Sequence, residues 1–261
     1  RPKVIVTGSS GLIGSMLIRS LAGRYTFSGI DKIQYPHGQG VHTTTADMSN
    51  LDSVAQAFSG HEIAIHLAAE VSETAPWNSI LPNNIIATQN VFEAARQVGI
   101  RRVVIASSNH STGMYEFEQP YVRIRSGDYL GIQPATFPMI DHTVPIRPDG
   151  LYGVSKLFGE ATGRYYSDNF GLEVACIRIG TVNQHNNPTQ HIRHFATWCS
   201  HQDLAQLVGL CLSHQPLKFD IFYGVSDNTW RFWDISHASE VLGYRPLDNA
   251  EEFRGQENFQ V

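Results

Sequence analysis

Apolar positions along this chain switch repeatedly between the period of a strand and the period of a helix. Lys3-Val-Ile-Val-Thr7 is a short apolar run rich in β-branched residues, and an amphipathic stretch ending at Leu21 follows it after a few positions. Further strand-like runs are Phe27 to Ile30, Val41 to Thr45, Glu62 to Ala68, Arg101 to Ser107 and Leu172 to Ile177. Helical patterns fall between them, at Asn50 to Phe58, Leu81 to Val98 and Leu151 to Asp168. This alternation predicts an α/β fold, a doubly wound parallel sheet joined by right-handed crossovers, with ligands at the carboxyl ends of the strands. After Ile177 come a helix over Gln202 to Ser213, a β-like Phe219 to Tyr223 and a helix near Asp234 to Leu242. No repeat or low-complexity segment interrupts the pattern.

The connection between the first strand and the first helix is Gly8-Ser-Ser-Gly11-Leu-Ile-Gly14. In such a turn one glycine allows a tight bend, one lets the backbone approach a pyrophosphate and one allows close helix packing, while the helix start offers N–H groups to phosphates. The spacing differs from Gly-x-Gly-x-x-Gly, but the strand before it and the helix after it are in place. The second strand ends in Asp31, roughly twenty residues on, where an acid accepts hydrogen bonds from the adenosine ribose. A carboxylate there repels a 2′-phosphate, which favours NAD over NADP, although Lys32 offsets part of that repulsion. These features specify a Rossmann fold. Asp47 reads equally as an adenine contact or as the start of the turn into the next helix.

Tyr152 and Lys156 are spaced i, i+4 on a predicted helix, so the ammonium of Lys156 lies on the face of the Tyr152 phenol and favours its phenolate. A free tyrosine titrates near pH ~10, and lowering that value makes the phenol a base for a hydroxyl proton. The strand ends carry further candidates. Ala68-Ala69 closes the fourth strand with side chains small enough for a cofactor to pass, and Ser72 stands just beyond. Ser107-Ser108-Asn109-His110 closes the fifth, projecting hydroxyl, amide and imidazole groups toward one cleft.

Composition narrows the class. With 261 residues the chain can bury a sizeable core, and its net charge of −5, with scattered Lys and Arg, does not suggest nucleic acid. No apolar run reaches the ~18 residues needed to span a bilayer. The three cysteines, Cys176, Cys199 and Cys211, form no Cys-x-x-Cys pair, so neither a disulfide framework nor a zinc site is indicated, and a reducing cytoplasm is expected. The twelve histidines show no ligand spacing that argues for a metal.

Together, Gly8, Gly11 and Gly14, Asp31, the His66-Leu-Ala-Ala69 strand end, Asn84, Ser108, Tyr152 and Lys156 resemble the extended short-chain dehydrogenases, which share the NAD-dependent epimerase/dehydratase fold. The likeness covers nearly the whole chain. Ala106-Ser-Ser-Asn-His110, Pro148 to Lys156, Arg178-Ile-Gly180 and Asp248 to Phe253 look like the uronate dehydrogenases. Ala75-Pro-Trp77, the long segment after Tyr115 and Tyr223 to Asn228 are similar to haloarchaeal NAD-dependent glucose-6-phosphate dehydrogenases.

The resemblance implies oxidation of a hexose at its anomeric hydroxyl, with NAD as acceptor. Ser108 would hydrogen-bond the reacting hydroxyl, Tyr152 would take its proton, and Lys156 would hold Tyr152 ionised while binding the nicotinamide ribose. The implied cofactor wall adds Leu12, Ile13, Met48, Leu67 and Ile179 to the glycine turn, Asp31, Asp47, Ala68, Ala69 and Asn84. Ser72, Asn109, His110 and Thr181 fall at substrate positions, and Arg193 corresponds to the arginine that grips a sugar carboxylate. Leu12 replaces a polar Gln of the uronate enzymes. The segment from Glu116 to Thr143 is longer than in those enzymes and reads as a lid or a subunit contact, with Arg123 and Arg125 available to an anion. Residues 1–177 are expected to be mainly the NAD-binding domain and 178–261 mainly a small substrate-binding lobe, interleaved as one unit. That lobe is small for a nucleotide sugar, and Asn109 stands where a dehydratase would want an acid. An epimerase or dehydratase is therefore the rival, and the intact Ser108, Tyr152 and Lys156 disfavour a non-catalytic NAD sensor. The oligomeric state stays open.

Overall fold

Each strand expected from the apolar pattern forms, and every pairing between strands is parallel. The computed structural model describes residues 1–34 and 41–259. Its strands are β1 (Lys3–Thr7), β2 (Thr26–Asp31), β3 (His42–Thr45), β4 (Ile63–His66), β5 (Arg102–Ser108), β6 (Glu173–Ile179) and β7 (Phe219–Gly224). They join one sheet in the order β3-β2-β1-β4-β5-β6-β7. The helices are α1 (Leu12–Leu21), α2 (Leu51–Phe58), α3 (Trp77–Ile80), α4 (Ala87–Val98), α5 (Tyr121–Arg125), α6 (Leu151–Phe170), α7 (His194–Thr197), α8 (His201–Ser213) and α9 (Ser236–Leu242). This is the doubly wound Rossmann arrangement. Among the described residues no helix is long and apolar enough to cross a membrane.

The alternation of side chains along each strand divides the core in two. Val4 and Val6 of β1 pack with Leu17, Leu204 and Leu207 on the α1 and α8 side, whereas Ile5 packs with Val54, Phe58, Val91 and Phe92 on the α2 and α4 side. The inner strands are buried on both faces, which is why Ile63-Ala-Ile-His66 is apolar without alternation. β7 extends the same sheet beyond Ile177.

Of the boundaries that differ from the pattern, two have a clear local reason. β4 stops at His66, where the Leu67 amide is shared between the Thr7 carbonyl and hydroxyl, each at 3.2 Å, and the Ala68 amide turns to the hydroxyl alone at 3.1 Å. The expected helix from Leu81 begins earlier, at Trp77, and passes through a widened π turn over Leu81–Ile86 before α4. Pro82 lies in that turn and cannot donate a backbone hydrogen bond, so the ladder loosens there.

The segment from Glu116 to Thr143 docks on the chain's own carboxyl-terminal part. Tyr121, Ile124, Phe137 and Ile140 enter the larger core, Tyr129 stacks on Trp230 at 3.9 Å, and the Ile140 amide donates to the Phe232 carbonyl at 2.8 Å.

Thr7 and His66, cross-strand neighbours on β1 and β4, tie the centre of the sheet together. The Thr7 hydroxyl accepts from two amides, so its own proton goes to His66 Nδ1 at 2.7 Å, and His66 Nε2–H then donates to Thr88 at 3.0 Å. Burial, aided by the charge of Lys156, pushes His66 down to about 3. The folded state refuses a proton that the unfolded chain accepts, so this contribution to stability is complete above pH ~6.5 and drains away as pH falls toward the folded value. Between pH 7.5 and 5.0 His66 alone removes about 2 kcal/mol. Urea unfolding should therefore show the wild type losing more stability than His66→Gln over that interval, and equal losses would exclude His66 as the cause.

Candidate active site

The sheet order reverses between β1 and β4, and a cavity of about 690 Å³ opens at the carboxyl ends of β1, β4 and β5. One end is built around the glycine turn. Gly8 has φ +71°, and a Cβ there would lie 2.8 Å from the Ala68 amide nitrogen; a Cβ on Gly14 would lie 2.3 Å from the Gly8 carbonyl. Only bare backbone fits. Gly11 caps α1 without a side-chain hydrogen bond, and the first turn holds no acidic residue, so its amides stay available to an anion. Asp31 is fixed by the amides of Ser10 at 2.9 Å and Lys32 at 2.7 Å, while the Lys32 ammonium donates to Asn83 at 2.7 Å. Leu12, Ile13, Met48, Leu67, Ala68, Ala69 and Ile179 complete this part of the wall. The cradle that a Cβ would fill and the uncapped helix start fit a dinucleotide.

Two expected cofactor residues stand off the wall. Asp47 is exposed and its carboxylate accepts from the Ser49 amide at 2.9 Å, the turn geometry that its position also allowed. Asn84 is buried in the π turn, where its side chain braces Glu70 at both backbone groups and donates to Ser155 at 2.8 Å. It holds the site together from behind.

The middle of the cavity carries the reactive groups. Gly153 lets α6 approach so closely that a Cβ would sit 2.3 Å from the His110 carbonyl, which sets Tyr152 against the end of β5. Ser108, Asn109, His110, Tyr152 and Lys156 all line the wall. The Asn109 amide nitrogen is buried without a partner. His110 packs edge-on against the Tyr152 ring at 5.8 Å, flanked by Asp149 at 2.8 Å and Glu73 at 3.2 Å. The Lys156 ammonium is 5.4 Å from the centre of the Tyr152 ring. Burial dominates the titration of both groups. It pushes Tyr152 up to about 12, against a hydrogen bond from Ser108 that lowers it, with the Glu73 charge raising it further. It also pulls Lys156 down to about 8. In this cleft burial sets the phenol, and the expected pull of Lys156 is not among the causes of its shift.

At the other end Thr181 and Arg193 reach the wall, and Ser72 does not; the Ser72 amide and hydroxyl turn instead to Glu70 and Thr74. Arg193 is no free surface charge. Its Nε and Nη2 donate to the two oxygens of buried Glu116 at 2.6 Å each, and Nη1 lies 3.4 Å from the Thr181 hydroxyl. Arg123 pairs with Asp128 within the long segment, whereas Arg125 stands 3.3 Å from Glu116. The apolar pattern and the motifs pointed to none of Glu73, Glu116 and Asp149 as site residues. Glu73 and Asp149 each lie one position from a residue that was singled out or inside a quoted motif, but Glu116 is 77 positions from its partner.

Away from the cavity, His142, Asp220 and His237 bring donor atoms within 4.8 Å of one another. The two imidazoles stack face to face at 3.8 Å with planes 18° apart, so their lone pairs run side by side instead of converging as a tetrahedral ion requires.

Residues 4–209 match the model of the NAD dependent epimerase/dehydratase family. The chain belongs to that family. It is 36% identical over 256 residues to an NAD-dependent glucose-6-phosphate dehydrogenase of Haloferax volcanii, covering 96% of this chain and 95% of that protein. An L-arabinose 1-dehydrogenase (NAD(P)(+)) of the same organism is 32% identical, with 95% of this chain and 97% of that protein covered. The crystal structure of a mutant uronate dehydrogenase from Agrobacterium tumefaciens, complexed with NAD, superimposes with a TM-score of 0.82 at 34% identity, covering 98% of this chain and 88% of that one.

The glycine cradle and the Asp31 carboxylate at the end of β2 give two tests. Gly14→Ala forces a Cβ onto the Gly8 carbonyl, and NAD affinity measured by calorimetry should fall at least tenfold. Asp31→Ala should raise NADP use relative to NAD; an unchanged ratio would remove Asp31 from cofactor choice.

Proposed function

We propose that this protein oxidises the anomeric C1 hydroxyl of an aldohexose that carries an anionic C6 group, with NAD as acceptor, and releases the aldonolactone. The observation that carries the reading is the convergence of Ser108, Tyr152 and Lys156 on the cavity that also holds the glycine cradle. The relatives named above include dehydrogenases of glucose 6-phosphate and L-arabinose, which supports oxidation at C1 of a sugar.

NAD, when bound, supplies the acceptor for the hydride leaving C1. The remaining work belongs to side chains. Ser108 holds the reacting oxygen and Tyr152 accepts its proton, so the two electrons of the C1–H bond leave as the C1–O bond becomes a carbonyl. Lys156, buried and charged beside the phenol, stabilises the phenolate form of Tyr152 that takes this proton. Asn109, with an unpartnered amide nitrogen, has a hydrogen bond to offer a sugar oxygen. Arg193 supplies positive charge for the C6 anion, and its pairing with Glu116 holds the guanidinium in place.

Tyr152→Phe should reduce turnover by several orders of magnitude while leaving NAD affinity nearly unchanged. Because Tyr152 is raised to about 12, partly by the charge of Glu73, kcat/KM should climb with pH through the neutral range. Glu73→Gln removes that raising charge and should move the profile to lower pH; a profile that stays in place would detach Glu73 from the base. One screen with galacturonate, glucuronate, glucose, glucose 6-phosphate and L-arabinose decides the reaction class. Stoichiometric NADH is expected, and product without net NADH would identify an epimerase instead.

A further inference from the structure

Arg193 enters the cavity with two of its five N–H donors already used on one carboxylate. Nε and Nη2 form one edge of the guanidinium fork, and both are spent on Glu116, whose side chain is only 3% exposed. Nη1, toward Thr181, remains. Behind Glu116 stands Arg125, its Nε 3.3 Å from the same carboxylate and its guanidinium over the Phe117 ring at 4.5 Å. Arg193 and Thr181 line the cavity, while Glu116 and Arg125 form a layer beneath it. Two cations therefore share one buried carboxylate, and the charge felt at the cavity surface depends on residues that do not face it.

We propose that Glu116 is a specificity-determining residue: by occupying one edge of Arg193 and cancelling part of its charge, it sets how strongly the site prefers an anionic sugar to a neutral one. The proposal rests on the sugar-oxidising reading above. A substrate anion meets Arg193 through the edge that Glu116 leaves open, and it meets the field of the Glu116 carboxylate behind. Removing the carboxylate's charge strengthens the pull on an anion without adding a contact to the rest of the sugar. Removing the Arg125 charge has the opposite sign. A brace with a purely structural role would weaken both kinds of sugar in both variants.

The test compares Glu116→Gln and Arg125→Gln with the wild type, using the full chain and NAD, on galacturonate and glucose 6-phosphate against glucose and L-arabinose. The readout is the ratio of kcat/KM for an anionic sugar to that for a neutral one. Glu116→Gln should raise the ratio by about tenfold through a lower KM for the anion, and Arg125→Gln should lower it by several-fold. Glu116→Asp, which restores the charge, should return the ratio toward wild type. If Glu116→Gln does not fold, the fall in Arg125→Gln and the wild-type-like ratio in Glu116→Asp still decide the matter. A wild type that oxidises sugar while the ratio stays fixed, or moves the same way in both Gln variants, overturns this proposal alone. A wild type that forms no NADH with any of the four sugars overturns the underlying reading and this proposal with it.

Discussion

The approach of two backbones with no side chain between them is the constraint on which the rest of the molecule depends. Gly8 meets Ala68 and Gly14 meets Gly8 at distances that no Cβ tolerates. That contact brings the start of α1 down onto the ends of β1 and β4, where the sheet order reverses, and so opens the groove for a pyrophosphate. Thr7 and His66 stand directly beneath it. The Thr7 hydroxyl takes the Ala68 amide and shares the Leu67 amide with the Thr7 carbonyl, so the end of β4 is shaped by the sheet's own polar core. His66 is kept neutral there because a charged imidazole has no water to solvate it.

A second close approach, Gly153 against the His110 carbonyl, fixes the chemistry relative to that groove. It places α6 so that Tyr152 faces the same cavity as Ser108, with Asn84 and Ser155 bracing the helix from its buried side. The electrostatic consequence follows from burial. Desolvation raises the phenol and lowers the ammonium, both toward their neutral forms. Proton transfer in such a site depends on the few charges that remain nearby. Glu73 therefore matters although it is exposed, because its carboxylate opposes formation of the phenolate.

Sheet topology and the cofactor end were legible because their signals are local. Gly8 to Gly14 and Asp31 take their places from short spacings within a single βαβ unit, and the apolar run around Ile63 to Ile65 could be read directly as a strand. What was not legible has a different cause. Sequence position assigns a residue to a strand end or a helix, but not the direction of its side chain. Asp47, Ser72 and Asn84 sit beside the cavity in the chain, yet Asp47 and Asn84 turn to backbone groups and Ser72 to Glu70 and Thr74, partners that the pattern does not specify. Glu116 shows the limit more clearly. Its significance comes entirely from Arg193 and Arg125, and nothing in the neighbourhood of Met114 to Phe117 marks one acid as buried.

The sugar end joins stability and selectivity in one interaction. A guanidinium as buried as that of Arg193 would be costly alone, since a low-dielectric wall does not replace the water it loses. Glu116 compensates for that loss, with Glu73 and Asp149 adding to the field that keeps Arg193 charged. Any carboxylate strong enough to hold the arginine also competes for its charge with an anion entering the cavity. The fold resolves the conflict by placing Arg125 behind Glu116, so that one carboxylate is shared between two cations and Arg193 is not fully neutralised. Arg125 comes from the long segment after Glu116, which is pinned to the core by Tyr121, Ile124 and Ile140. The added length of chain, expected as a lid or a subunit contact, thus sets a charge beneath the Arg193 end of the cavity.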